Sequence, residues 1–597
     1  EFRRVLFRSF FIYNKYKFFL RSFNRTLKKN MFRVVRRNTV TTFVIIYIKG
    51  LAKYRRNHME QVKKNIDVAM GRIKADLVLK NARFINVFTE EVDRGDIAIV
   101  AGIIIGIGEY SGNLEIDCSD LYVAPGFIDA HVHIESSMIM PKQFGEVVIK
   151  KGITTVIADP HEIANIEGIN GVKAMIESSK EAPIDIFFML PSCVPVTKFQ
   201  DSGYVFNIKN LEELIDNNCV IGLGEVMDVS AVVNKDDKLL KKIDMAKNKH
   251  IDGHCPNISS SELNACISCG IKTDHECNNA KDALLKVSRG MYVMIREGSA
   301  AKNLKAVLPA VNNRNYGRFL YCSDDRHIDD LLERGSIDNC IRLSIKQGLN
   351  PIKAFIMASY NVAKCYDLAD RGAIAPGYKA DLVIFEELKG LNILKVIKNG
   401  KEYKELPDKK RSKLNIKSSM HMEFIKSEIF KVESKTPTVS VIKLIPHSVQ
   451  TKLVQRKIEN ESGYIKRIID KDVLKIAVFE RHNNTGKHFT SFIEGLGLKN
   501  CSIAQTIAHD SHNVIVVGDN ETDMEVAVNT LISTGGGIVM VSEGKIIAQL
   551  ILPIGGIMTF EAPYMVAENL KRLSRMAKAF GVRAEYDPFI SLSFVTL

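Results

Sequence analysis

Between residues 121 and 326 the chain repeats one unit eight times: a short apolar run, almost always closing on polar or ionisable side chains, then a longer amphipathic stretch. The runs fall at 121–134, 152–160, 184–195, 220–227, 250–256, 270–276, 291–298 and 317–326. Such alternation predicts βα units and a parallel sheet, and eight strands are the number that closes a barrel. The intervening stretches read as helices. In 162–180, Ile166, Ile169, Val172 and Ile176 share a face, and 259–269 opens on serines suited to capping. Parallel strands carry their C-terminal ends to one mouth, so the ionisable endings should meet there.

Five endings carry six metal-ligating groups: His131 and His133, Glu225, His254, His275 and Asp324. One Glu or His at a strand end is more often a hydrogen-bonded structural group, and an isolated His-x-His pair is a weak signal even though both rings face one side. Six in register with a barrel predict a hydrolytic metal centre. His131, His133 and Asp324 would hold one ion, His254 and His275 a second, with Glu225 bridging them. Two cations sharing a water bring its pKa toward neutrality. Asp324, with an oxygen facing that water, would then carry the proton. Strand alternation directs Asp325 to the opposite face. Glu135, Asp159, His161 and Glu162 follow the first two runs and face the same mouth, as substrate contacts, an auxiliary metal set or groups that orient the ligands, and Asp325 and Arg326 are further candidates for substrate contact or support. Arg296 and Arg326 leave a phosphate pocket open.

The formal charge of +14 suggests nucleic acid until it is located. Residues 1–58 hold 16 Lys and Arg and one acid, and the remaining 67 basic and 68 acidic residues nearly cancel. The body is therefore not basic, and neither nucleic acid nor a membrane is expected as a partner. The first 58 residues lack periodicity and a signal-peptide layout. Glu1-Phe2-Arg3-Arg4-Val5-Leu6-Phe7-Arg8-Ser9 resembles a translated sequencing adapter, so a non-native extension before Met59 is expected; a mitochondrial presequence is the alternative. Eleven scattered cysteines suit a reduced cytoplasmic protein, and Cys266-Ile267-Ser268-Cys269, with no second pair, reads as helix packing.

Residues 401–451 are charged and irregular and read as a linker into a further α+β domain. That domain shows a strand at 476–480, an apolar run at 513–518, a helix at 520–533, and a hairpin around Ser542-Glu543-Gly544-Lys545. Gly535-Gly536-Gly537 lacks the following Lys-Ser/Thr of a phosphate loop. Ala508-His509-Asp510-Ser511-His512-Asn513 is its one chemically dense segment. A Ser-His-Asp triad needs separate elements, so a hydrogen-bonded loop, or one closing over the barrel mouth through His509 and His512, is expected. The final apolar run, 589–597, reads as a strand cut short.

Two stretches resemble the amidohydrolase superfamily: Pro125-Gly126-Phe127-Ile128-Asp129-Ala130-His131-Val132-His133, and Gly372-Ala373-Ile374-Ala375-Pro376-Gly377-Tyr378-Lys379-Ala380-Asp381-Leu382-Val383. Further blocks are similar to bacterial and archaeal adenine deaminases: His131-Val132-His133-Ile134-Glu135-Ser136-Ser137-Met138, Ala158-Asp159-Pro160-His161-Glu162-Ile163-Ala164-Asn165, Gly222-Leu223-Gly224-Glu225-Val226-Met227, Ile251-Asp252-Gly253-His254, and Ser323-Asp324-Asp325-Arg326-His327. The resemblance implies a (β/α)8 TIM-like barrel at 123–372, a small β-sandwich formed by 59–122 and 373–405, and a C-terminal α+β domain at 406–597. It also implies conversion of adenine to hypoxanthine and ammonia with two manganese or iron ions per chain, in a cytoplasmic homo-oligomer. The other base-deaminase design, one zinc held with a cysteine pair, has no match here. The alternatives are another amidohydrolase, such as an N-acetylglucosamine-6-phosphate deacetylase, or a barrel serving as a non-catalytic scaffold.

Overall fold

The computed structural model describes residues 57–405, 419–433, 438–448, 450–457, 460–461, 463–465 and 472–596. The basic segment 1–56 and Lys409-Lys410-Arg411 lie outside the described residues, so the expected non-native extension falls almost wholly there. Residues 57–73 belong to a separate unit, a helix over 57–69 whose end is tied by Arg72 to Asp67 at 3.0 Å. No helix among the described residues is long and apolar enough to cross a membrane.

Each of the eight apolar runs forms a strand: Phe127–His133, Ile153–Ala158, Asp185–Leu190, Val220–Val226, His250–Gly253, Thr273–Asp274, Tyr292–Arg296 and Phe319–Cys322. The first five pair in parallel in chain order, and so do the last three. Lys272 N donates to Ile251 O at 3.0 Å across the break between these groups. The other seam closes where Asp324 and Asp325 pair in parallel with Val132 and His133. Ile128, Ala130, Ile157, Met189, Met294 and Leu320 fill the interior below that mouth. Helix Ser260–Ser268 carries the expected cap as a reciprocal box between Ser259 and Glu262. Cys266 lies buried in this helix and Cys269 at its end, both as free thiols.

The small domain is one sheet folded over its own core of Leu77, Phe84, Ile97, Val123, Leu382 and Ile397. The strand Ala75–Asn86 makes the fold possible: its first half pairs with Gly112–Asp117 and its second with Tyr122–Pro125, with a register break between Leu79 and Ala82 on its other edge.

The C-terminal domain is an eight-stranded, mainly antiparallel sheet running from Thr451–Lys457 at one edge to Lys545–Ile551 at the other, covered by helices Glu521–Thr534 and Pro563–Ala579. Two expectations need correction. The strand Thr438–Leu444 already belongs to this sheet, so the stretch to 451 is not all linker. The final run is helix Pro588–Phe594 rather than a strand, because Pro588 sits in its first turn and Asp587 accepts Phe589 N and Ile590 N. This domain docks on the barrel directly: Thr559 N donates to Met138 O at 2.9 Å, and Gln143 Nε2 to Phe560 O at 2.7 Å.

Candidate active site

The strand ends bring all six expected ligands together. His131 Nε2 and His133 Nε2 stand 3.0 Å apart. Around them lie Glu225 Oε1, at 3.7 and 3.3 Å, and Asp324 Oδ1, also at 3.7 and 3.3 Å. The other oxygen of Glu225, Oε2, faces His254 Nδ1 at 2.7 Å and His275 Nε2 at 3.3 Å. One carboxylate thus spans two histidine pairs drawn from three other strands.

Most of these spacings are those of a shared ion rather than a shared proton. Donor atoms bound to one first-row cation at about 2.1 Å lie about 3–3.5 Å from each other. His133 Nδ1 lies 3.0 Å from the Asp159 carbonyl, which turns Nε2 toward the centre; burial lowers this ring's proton affinity, but hydrogen bonds to Asp324 and Glu225 outweigh it and raise it well above the usual range. Burial, then the neighbouring His275 and His133, pull His131 down to about 4, so this ring is neutral near pH 7. Glu225 is held well below the usual carboxylate range: burial opposes ionisation, and hydrogen bonds from His133 and His254 outweigh it.

Local backbone fixes the bridging carboxylate. Asp159 Oδ2 accepts Glu225 N at 3.0 Å, and a Cβ on Gly224 would stand 2.2 Å from that oxygen, so glycine is required for this approach. His161 follows, with Nδ1 3.5 Å from Glu225 Oε1 and Nε2 3.4 Å from Glu162 Oε1. Glu135 Oε1 accepts Ile163 N at 3.2 Å, and burial pushes its carboxyl up to about 7.

Asp325 departs from expectation. Asp324 adopts φ +55°, which breaks the alternation, so Asp325 does not point away; it accepts Ser136 Oγ at 2.5 Å and lines the cavity at the mouth. Asp324 departs too. Its Oδ2 is not free, since it accepts Arg296 Nη1 at 2.9 Å, and Arg296 also pairs with Glu276, Nη2 to Oε2 at 3.0 Å. Glu276, an ionisable ending of the sixth run, belongs at the mouth by the strand-end pattern but was not among the expected site residues. Arg326 is buried and donates to the Glu297 carbonyl rather than entering the cavity. Arg296 is thus taken up by Asp324 and Glu276, and neither arginine lines the mouth cavity.

The loop from Ala508 to Asn513 reaches the barrel. His509 Nδ1 lies 2.6 Å from Glu162 Oε1, and His512 Nε2 contacts Oε2 of the same carboxylate. A small cavity at the mouth is lined from the barrel by Glu135, Ser136 and Asp325, and from the C-terminal domain by His509, His512 and Phe594. Both loop histidines therefore stand beside the residues that follow the first two strands.

Comparison with known proteins agrees with this arrangement. The amidohydrolase family model matches residues 122–403, and the adenine deaminase C-terminal domain model matches 448–597. Adenine deaminase of Clostridium acetobutylicum is 45% identical over 545 residues, covering 90% of this chain and 96% of that protein. Adenine deaminase 2 of Carboxydothermus hydrogenoformans is 44% identical (90% and 95% covered), and adenine deaminase of Bacillus pumilus 41% (90% and 95%). With nearly its whole described length matched in this way, the chain belongs to the adenine deaminase family of the amidohydrolases.

Proposed function

We propose that this chain hydrolyses adenine to hypoxanthine and ammonia at the mouth of the barrel. Family membership supplies the substrate, and the observation that carries the chemistry is the Glu225 carboxylate set between His131 with His133 and His254 with His275. These five residues and Asp324 would hold two divalent ions, manganese or iron, and the donor spacings fit such ions. Bound there, the ions supply a water acidic enough to be hydroxide at neutral pH.

The remaining steps fall to side chains. The oxygen of water bonds to C6 of the ring, the C6–N6 bond breaks, and N6 departs as ammonia once protonated. Asp324 takes a proton from the attacking water and returns it to the amine. Arg296, on Oδ2 of Asp324, keeps that carboxylate's proton affinity low so that the proton passes onward; Asp324 lies well below the usual range, with the Arg296 charge outweighing burial. Asp159 and His161 orient Glu225.

The test is ammonia release by the metal-reconstituted protein from adenine, adenosine, cytosine and an acetylated amino sugar phosphate. Adenine alone should react; metal-loaded protein that leaves adenine unchanged would overturn the reading.

A further inference from the structure

Among the described residues, the ring of His509 has one nitrogen tied and the other untied. Nδ1 lies against Glu162 Oε1 at 2.6 Å, while Nε2 has no protein partner and the residue lines the mouth cavity. The loop is held firmly in this pose. His509 N donates to Ser593 O at 2.8 Å, Thr596 Oγ1 donates to His509 O at 3.1 Å, and the Phe594 ring packs on the imidazole with centroids 4.6 Å apart.

The protons in this cluster can be assigned from its geometry. His512 Nδ1 accepts Ala508 N at 3.3 Å, so its own proton sits on Nε2 and is donated to Glu162 Oε2. Glu162 therefore accepts from both rings, and His512 has no lone pair left for a metal at Nε2. The contacts are those of shared protons, unlike the wider spacings around Glu225, which argues against a third metal here. His509 donates through Nδ1, which leaves Nε2 facing the cavity beside a buried carboxylate.

We propose that the C-terminal domain completes the base-binding pocket, with His509, oriented by Glu162, donating an Nε2–H hydrogen bond to a ring nitrogen of the purine. This rests on the adenine reading above. A planar heteroaromatic base presents acceptor nitrogens on its rim and flat apolar faces, and the wall formed by His509 and Phe594 offers a donor and an aromatic surface to match. The protonation state agrees: burial pulls His509 down, but the Glu162 charge and hydrogen bond outweigh it and raise the ring to about 9, so it carries both protons at neutral pH. His509 is then a specificity-determining residue contributed from 347 residues beyond its anchor.

The test uses full-length, metal-loaded protein and four ligands: adenine and its 1-deaza, 3-deaza and 7-deaza analogues. In His509→Leu, metal content should stay at the wild-type level while kcat/KM for adenine falls about 10–100-fold, the range for a hydrogen bond from a charged donor. His509→Gln, whose amide can stand near Nε2, should recover most of this loss. The deaza analogue that lacks the contacted nitrogen should bind wild type and His509→Leu equally, whereas the other two lose affinity in the variant. If His509→Leu fails to fold, His509→Gln against the shorter His509→Asn gives the same comparison. The proposal is overturned if folded His509→Leu keeps kcat/KM within about threefold of wild type, or if all four ligands lose affinity equally. Base binding decides His509 whether or not wild type turns adenine over; failure of wild-type turnover would count against the reaction instead.

Discussion

Two buried clusters of histidine and carboxylate lie within one short chain of contacts, and they are built differently. Around Glu225, donor atoms from the barrel stand mostly 3.0–3.7 Å apart, with only His254 as near as 2.7 Å, and His133 Nδ1 turns away toward the Asp159 carbonyl. Around Glu162, the rings of His509 and His512 approach to hydrogen-bond distance and the protons point inward. Residue type is nearly the same in both. Spacing separates the proposed cation centre from a joint between two domains, with His161 set between Glu225 and Glu162.

The comparison breaks most visibly at Glu225. Glu225→Gln removes the charge that faces both histidine pairs, so metal content should fall below the wild-type level and turnover should vanish. Elemental analysis of the purified variant checks this, and full metal occupancy would place the bridge elsewhere. Next comes Asp324→Asn, which should keep most of its metal while kcat drops by roughly 10²–10⁴, the scale of a lost general acid–base. Normal deamination in that variant would remove Asp324 from proton transfer.

The second cluster should respond in the opposite sense. Glu162→Gln is expected to leave metal content unchanged but lower folding stability by about 1.5–3 kcal/mol, the scale of hydrogen bonds to a charged group. Loss of metal in Glu162→Gln would mean that the two clusters are alike after all. The smallest effect is on pH dependence. His509 is raised from 6.5 to about 9, so its pairing stabilises the fold fully below pH 6.5 and is lost as pH rises through about 9. Thermal melts across that window should show a steeper fall for wild type than for Glu162→Gln, and parallel curves would refute the assignment.

How much of this was legible in the sequence follows the same division. All eight strands and the convergence of the six ligands could be read, because parallel strands oblige their C-terminal ends to share a mouth, and local apolar runs mark those strands. Asp325 was misplaced because alternation holds only for extended backbone, and Asp324 at φ +55° departs from it. The Arg296 ties to Asp324 and Glu276 join neighbouring strands, and no local pattern reports which side chains meet across a sheet. The final helix was taken for a strand because apolar content was weighed above the Asp587 and Pro588 start signal. Glu162 and His509 both stand out in the sequence, and a loop closing over the mouth is one reading of 508–513, but only the docking of the two domains shows that these two side chains meet.

The seam of the barrel adds a matter of timing. Asp324 and Asp325 make the closing ladder with Val132 and His133, and Asp324 is also the last of the six ligands in chain order. A growing polypeptide that has emerged only as far as Cys322 therefore lacks both the clasp of the cylinder and one arm of its centre. Asp324 thus finishes both the cylinder and the proposed ligand set, so during synthesis neither is complete before that residue emerges.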